Sequence, residues 1–231
     1  KLKKYLMKNK KNLLIIILAR KGSKRLRNKN LKLMGKKSIT ENTILFSKKI
    51  ISGKNIIVST DSKKIREIAI RNRVICPWLR PKSLSLANSS SGKTAIHALK
   101  WYEKNYTKIK NILLLQPTTP FRDIKLFMNA IKFFEKDSKY PIVSVCEYKK
   151  KIKDFVIIKK NIASYFIKKK IKEKIYKVNG SMYIIKADDL KKNKNFTQKK
   201  FRPVIMNNYK ENIDIDNQED LNIARAFLKL R

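Results

Sequence analysis

Glycine is scarce, with five in 231 residues, and no Gly/Ser-rich stretch interrupts the chain. That argues against two independent domains on a flexible linker. No internal repeat occurs either. Only two cysteines are present, Cys76 and Cys146. They lie far apart, form no metal-spaced pair and fall in apolar strand-like segments. They read as buried free thiols in a reducing, cytoplasmic compartment. The single histidine, His97, lies on the apolar side of a helical pattern. It reads as a packed, hydrogen-bonded core residue rather than a catalyst. No apolar run is long enough to span a membrane. Residues Lys1 to Ala19 imitate a signal peptide, basic and then apolar. The run is short, however, and leads straight into Arg20-Lys21 without a small-residue cleavage site, so a buried strand is expected. Acidic residues are few: 17 against 58 Lys and Arg, for a net charge of +41. Such an excess ordinarily points to nucleic acid or an anionic surface. Here it is spread along the whole chain, and Lys, Asn and Ile, all with AT-rich codons, dominate together. It reads as genome composition on solvated faces, with neither nucleic acid nor membrane expected as a partner.

With 42% hydrophobic residues, the chain can bury one sizeable core and a small appended lobe. Apolar runs alternate with helical patterns. Strands are expected at Leu13–Ala19, Asn55–Thr60, Val74–Cys76, Asn111–Leu115, Ile142–Cys146, Ser181–Ile185 and Val204–Met206. Helices are expected at Ile39–Ile51, Ser62–Asn72, Gly92–Asn105, Ile124–Glu135 and Gln218–Leu230. Ser38 and Glu41 form a capping-box pattern, and Asp123, Asn217 and Asp61 stand at helix starts. The alternation implies parallel βαβ units and a covered α/β sheet. It fails between Tyr148 and Val178. There, short β-like pieces at Phe155–Ile158 and Ala163–Ile167 flank Lys160-Asn161 and read as an inserted hairpin lobe. The aromatics Trp101, Tyr102, Phe133 and Phe134 fall at helical positions and read mostly as core.

Leu13–Ala19 breaks into a polar loop holding Arg20, Gly22, Ser23, Lys24, Lys29 and Asn30. Small and cationic residues after a buried strand can cradle a polyphosphate. This is not the Walker pattern, because no Gly-Lys-Ser/Thr closes the loop onto a helix. Ile213-Asp214-Ile215-Asp216 puts two carboxylates two residues apart. In extended backbone both project to one face, and two hard oxygen ligands there suit Mg²⁺ shared with phosphates. The bland alternative is a polar edge capping the next helix. Leu113–Leu115 ends in the rigid polar loop Gln116-Pro117-Thr118-Thr119-Pro120-Phe121-Arg122, beyond a strand's carboxyl end where ligands gather in open α/β sheets. Arg80, in Leu79-Arg80-Pro81, can reach phosphate or base oxygens. Ser89-Ser90-Ser91-Gly92 opens a helix whose N-terminus favours anions.

Five of these segments, in order, resemble the CMP-sialic acid synthetases (acylneuraminate cytidylyltransferases) over about residues 13–231. The first loop matches Ala-Arg-x-Gly-Ser-Lys-x-Leu-Pro-x-Lys-Asn, with Arg27 in place of the proline. The others are Val58-Ser59-Thr60-Asp61 with Leu79-Arg80-Pro81, the Leu-Gln-Pro-Thr-x-Pro-x-Arg stretch, Asn179-Gly180-Ser181-Met182-Tyr183, and Ile-Asp-Ile-Asp followed by Asp220-Leu221. The resemblance starts just after Met7, which makes Met7 the expected natural start and residues 1–6 an upstream extension; a basic N-terminal stretch at 1–12 would precede the domain expected at 13–231.

The resemblance implies an α/β, three-layer, nucleotide-diphospho-sugar-transferase-like fold with a mostly parallel sheet. The lobe at 148–178 would help build a homodimer. The implied reaction joins CTP and an acidic 2-keto sugar, giving CMP-sugar and pyrophosphate with Mg²⁺ as cofactor. By the resemblance, Arg20, Gly22, Ser23, Lys24, Lys29, Asn30, Arg80 and Ser91 bind nucleotide. Gln116, Arg122, Lys177 and Asn179 bind sugar. Asp214 and Asp216 hold the metal and, with Lys29, carry catalysis. Three departures bear on the ligands: Ala87 stands where an aspartate is usual, Lys177 where arginine is usual, and Lys169-Lys170-Ile171-Lys172-Glu173 where an Arg-Gln-x-x-Pro-like stretch is usual. Lysine keeps the charge but loses the bidentate fork. A nonulosonate other than N-acetylneuraminate is therefore expected. Two alternatives remain, a 3-deoxy-octulosonate cytidylyltransferase and a basic nucleic-acid-binding protein.

Overall fold

A computed structural model of the chain describes residues 12–148, 156–159, 162–165 and 174–229. In chain order its strands are β1 (Leu13–Leu18), β2 (Leu33–Met34), β3 (Lys37–Ser38), β4 (Ile56–Ser59), β5 (Asn111–Leu115), β6 (Ile142–Glu147), β7 (Val156–Lys159), β8 (Ile162–Tyr165), β9 (Tyr176–Lys186) and β10 (Arg202–Ile205). Its helices are α1 (Ile39–Ile50), α2 (Lys63–Arg71), α3 (Ser91–Asn105), α4 (Ile124–Lys136), α5 (Ala187–Asn193) and α6 (Gln218–Lys229).

Six strands form one sheet in the order β10-β6-β9-β5-β1-β4. β1 pairs parallel with β4 and β5, and β10 parallel with β6; only β9 runs antiparallel to its neighbours. The continuous apolar runs follow from burial on both faces. Leu13, Ile15 and Ile17 pack with Ile44 of α1, Ile65 of α2 and Phe127 and Phe134 of α4. Leu14 and Ile16 face the other way, onto Ala95, Ala98 and Leu99 of α3 and Leu190 of α5. The result is the expected three-layer α/β fold. A third cluster ties Leu26, in the loop after β1, to Ile213, Ile215 and the α6 residues Leu221 and Ala224. That cluster positions the site.

The caps act locally as the residue types require. Ser38, Ser62, Ser90 and Asp123 each accept a backbone N–H of the following turn, and Asn217 accepts from Asp220 N. Asp61 is not a cap. Ser62 takes that role, and Asp61 accepts the Lys21 amide at 2.6 Å. Val74–Cys76 is not a strand: Ile75 makes a single bridge to Ile57, and Pro77 follows, without an N–H to extend the pairing. The β2–β3 hairpin and α5 have no sequence signal of their own. α5 is seven residues long with only Ala187 and Leu190 buried, too few to mark a stripe. Within the expected inserted lobe, β7 and β8 pair antiparallel. Phe155, Lys160-Asn161 and residues 166–173 lie outside the described residues, as do 1–11 of the expected extension. Both cysteines are buried and unpaired. His97 packs edge-on against Trp78 with ring centres 5.0 Å apart, and its Nδ1 has no hydrogen-bond partner. Tyr102 and Phe134 are core, whereas Phe133 is exposed. Among the described residues, no helix is long and apolar enough to cross a membrane.

Candidate active site

Three loops leave the carboxyl ends of the adjacent strands β4, β1 and β5. Beyond them lies a cleft of about 300 Å³. Of the residues expected to bind, Arg20, Gly22, Ser23, Lys29, Asn30, Arg80, Ser91, Gln116, Asp214 and Asp216 line it. Lys24, Arg122, Lys177 and Asn179 do not.

The loop after β1 is fastened at both ends. Asn30 Nδ2 donates to the Arg20 carbonyl and Thr40 Oγ1 to the Asn30 carbonyl, each at 2.7 Å. Asp61 holds the loop through the Lys21 amide. Gly22 has a negative φ and open space where a Cβ would stand, so its smallness clears the cleft rather than the protein. Asn30 is buried, and its Oδ1 has no partner. Lys24 is exposed on the outside of the loop. Its neighbour Arg25, an unmarked position in the motif, is the residue that reaches Asp216.

Arg80 is buried on the β4 side. Its N–H donates to the Thr60 carbonyl at 2.6 Å and its Nε to Ser59 Oγ at 3.0 Å, and Nη2 donates to the Ser59 carbonyl. Burial pushes its guanidinium down to about 10, against the pull of Asp61. Leu84, Leu86, Ala87 and Ser89 form the adjoining wall, with Ser91 and Thr94 at the start of α3.

Opposite lie the two carboxylates. Residues 213–216 pair with no strand; Ile215 N–H donates to the Thr118 carbonyl at 2.8 Å, Ile213 N–H to the Lys210 carbonyl at 3.3 Å and Asp216 N–H to Asp220 Oδ2 at 2.8 Å. Ile213 and Ile215 are buried and their acidic neighbours open to the cleft, so the alternation survives without a ladder. The two carboxyls differ in state. Desolvation by the cleft walls raises the Asp214 pKa, although the side chain opens to water. A Thr118 hydrogen bond and the more distant Lys29 and Lys177 offset this only in part, and the Asp216 charge adds to it. Desolvation would raise Asp216 too, but Lys29 Nζ at 2.8 Å and the Arg25 guanidinium reverse the sign and lower it.

The Gln116–Thr119 loop completes the cleft. Gly180, at φ +77°, makes room for the Gln116 amide: a Cβ there would sit 2.9 Å from Gln116 Oε1. This explains the glycine of the Asn-Gly motif. Asn179 itself is buried, and its amide is spent inside the protein. Oδ1 accepts from Ser144 Oγ at 2.6 Å and Ser181 N at 3.2 Å, and Nδ2 donates to Asn212 Oδ1 at 3.1 Å. Lys177 is exposed on β9, close enough to Asp214 to offset a small part of the rise in its pKa. Arg122 lies behind the loop, donating to the Gln116 carbonyl.

The donor set fits a hard divalent cation that takes most of its ligands from elsewhere. Asp214 and Asp216 offer oxygens into one cleft. Among the described residues no group of three or more His, Cys, Asp or Glu could hold a metal alone. That suits Mg²⁺ bound with substrate phosphates and water, and not a closed zinc site.

A mostly parallel sheet with a cation-lined loop after β1 and paired carboxylates at the same strand ends defines a nucleotidyltransferase-type α/β protein. Residues 14–231 match the family described as Cytidylyltransferase, and the chain belongs to that family. It is 31% identical to a CMP-N,N'-diacetyllegionaminic acid synthase of Legionella pneumophila subsp. pneumophila, over 94% of this chain and 97% of that protein. It is 30% identical to an N-acylneuraminate cytidylyltransferase of Escherichia coli O18:K1:H7, over 92% of this chain but 51% of that longer protein. Among solved structures, the fold is similar to a CMP:2-keto-3-deoxy-manno-octonic acid synthetase complexed with CTP. The TM-score is 0.71 and the identity 13%, covering 95% of this chain and 99% of that one.

Proposed function

We propose that this cytidylyltransferase joins CTP to a sialic-acid-like nonulosonate, releasing pyrophosphate and CMP-sugar. The observation that carries the reading is the make-up of one cleft: Arg20, Lys29 and Arg80 line it together with Asp214, Asp216 and Gln116, and Lys29 is paired with Asp216. A triphosphate needs the cations, and an attacking sugar hydroxyl needs the carboxylates and the amide.

The anomeric hydroxyl oxygen attacks the α-phosphorus. The bond from that phosphorus to the α–β bridging oxygen breaks, and pyrophosphate leaves. Arg20 and Lys29 neutralise charge that would repel the nucleophile, and positioning does most of the rest. Asp214 opens into the cleft, where a carboxylate can take the hydroxyl proton of the acceptor. Asp214 and Asp216 would hold Mg²⁺, which, when bound, draws charge from the phosphate oxygens. Gln116 meets the sugar. The Legionella relative, matched along nearly its whole length, favours a legionaminate-type acceptor over N-acetylneuraminate. The substitution of lysine at 177 supports the same choice. Homodimerisation through the 148–178 lobe and a cytoplasmic location complete the reading.

The test is pyrophosphate release from CTP, with and without N,N'-diacetyllegionaminate, across a Mg²⁺ titration. Release should need both sugar and metal. Asp214→Asn and Asp216→Asn should each remove most of it while the far-UV spectrum is retained. Near-normal turnover in both variants at saturating Mg²⁺ would reject the assigned carboxylates.

A further inference from the structure

Arg122 has contacts unusual for a cation. Nη2 donates to the Gln116 carbonyl at 2.6 Å and Nη1 to Thr43 Oγ1, on α1, at 3.3 Å. The guanidinium carbon lies 5.6 Å from the centre of the Phe46 ring. Nε is buried without a partner. Burial is the whole cause of a shift of this guanidinium down to about 9, because no described carboxylate compensates it. A cation left in this state costs stability, so its retention calls for a contribution elsewhere.

What it grips is the root of the Gln116–Thr119 loop. The same carbonyl also accepts from Thr119 N at 3.3 Å and Thr119 Oγ1 at 3.1 Å. Further along, the Thr118 carbonyl accepts from Ile215 N. On the far side, Gly180 leaves space for the Gln116 amide. The backbone of Gln116 is thus pinned from the α1 side, while its side chain faces the cleft.

We infer that Arg122 is a positioning residue for acceptor recognition: by locking the Gln116 carbonyl it aims the Gln116 amide at the sugar, without touching the sugar itself. This rests on the reading of Gln116 as the residue that meets the acceptor. The cations expected to meet the triphosphate hang on other loops, so loss of Arg122 should raise the sugar KM far more than the CTP KM.

Steady-state kinetics with CTP and N,N'-diacetyllegionaminate test this on Gln116→Ala, Arg122→Met, Arg122→Lys and the Gln116→Ala/Arg122→Met double variant. Gln116→Ala should raise the sugar KM about tenfold or more, the scale of a lost hydrogen bond left unpaired, with CTP KM little changed. Arg122→Met should do the same. Arg122→Lys, which keeps one donor, should restore part of the loss. The double variant should be no worse than Gln116→Ala alone, because both changes act through one amide. A purely structural arginine would add its effect to that of Gln116→Ala and raise both KM values together. If Arg122→Met does not fold, Thr43→Val and Arg122→Lys report on the same anchor through the sugar KM. A Gln116→Ala effect without an Arg122 effect, or full additivity in the double variant, overturns the inference. An unchanged sugar KM in Gln116→Ala overturns the underlying reading of Gln116, and the inference with it.

Discussion

Asp214 and Asp216 are two residues apart and chemically opposite, and the difference has a sign that stability measurements can read. Asp214 has a folded pKa above its unfolded value. Its contribution is therefore present below the ordinary carboxylate pKa and lost as pH rises through the raised value. Asp216 has a depressed pKa, so its contribution is present above the ordinary range and fades as pH falls through the lowered value. In EDTA at pH 7.5, Asp214→Asn should raise Tm and Asp216→Asn should lower it. Thermal unfolding of the two variants checks this, and equal shifts of one sign would refute the split. Lys29, only 15% exposed and paired with Asp216, should matter most when charge develops on the phosphate. Lys29→Ala should cost about 2–4 kcal/mol of transition-state stabilisation while CTP binding, by calorimetry, stays detectable through Arg20 and Arg80. An unchanged kcat would remove Lys29 from the catalytic set. At this scale the Ile-Asp-Ile-Asp alternation was fully legible, because burying the isoleucines leaves the carboxylates no other direction. The exchange of Lys24 for Arg25 was not, since the turn of a loop decides which of two adjacent exposed cations reaches Asp216. Asn179 was legible as a polar residue of a motif, but its partners Ser144 and Asn212 were not, because both lie far away in sequence.

Elements show the same division. β1, β4 and β5 and the five longer helices, α1 to α4 and α6, were readable because each is a long apolar run or a stripe with a cap. α5 and the β2–β3 hairpin were not, being short and held by neighbours. Two glycines were opaque in sequence for the same reason. A Cβ on Gly92 would lie 2.0 Å from the Lys194 carbonyl oxygen, where the N-terminus of α3 meets the end of α5. Backbone against backbone cannot yield cheaply. Gly92→Ala should therefore destabilise by about 1–3 kcal/mol, the cost of overpacking, despite alanine's better helix propensity. A denaturant midpoint unchanged from the parent would contradict that contact. Gly180→Ala faces both a positive φ and the Gln116 amide, and should raise the sugar KM with little change in the CTP KM.

At the scale of the whole molecule, the charge of +41 acts without belonging to the fold. Much of it lies on exposed lysines, so it sets a field rather than a contact. That field should speed capture of an anionic nucleotide. The kcat/KM for CTP should therefore fall as NaCl rises from 20 to about 300 mM, with kcat nearly constant, as the Debye length shortens. Flat kcat/KM would confine the attraction to the cleft. On the proposed reading the acceptor is chosen by a few side chains around Gln116 and Lys177, and it is the claim on which function turns. The direct measurement is pyrophosphate release from CTP against N,N'-diacetyllegionaminate, N-acetylneuraminate and 3-deoxy-octulosonate at equal concentration, with the CMP-sugar identified by mass. The legionaminate-type sugar should give the highest kcat/KM. Best turnover with 3-deoxy-octulosonate or N-acetylneuraminate, or release that needs no sugar at all, would contradict the account.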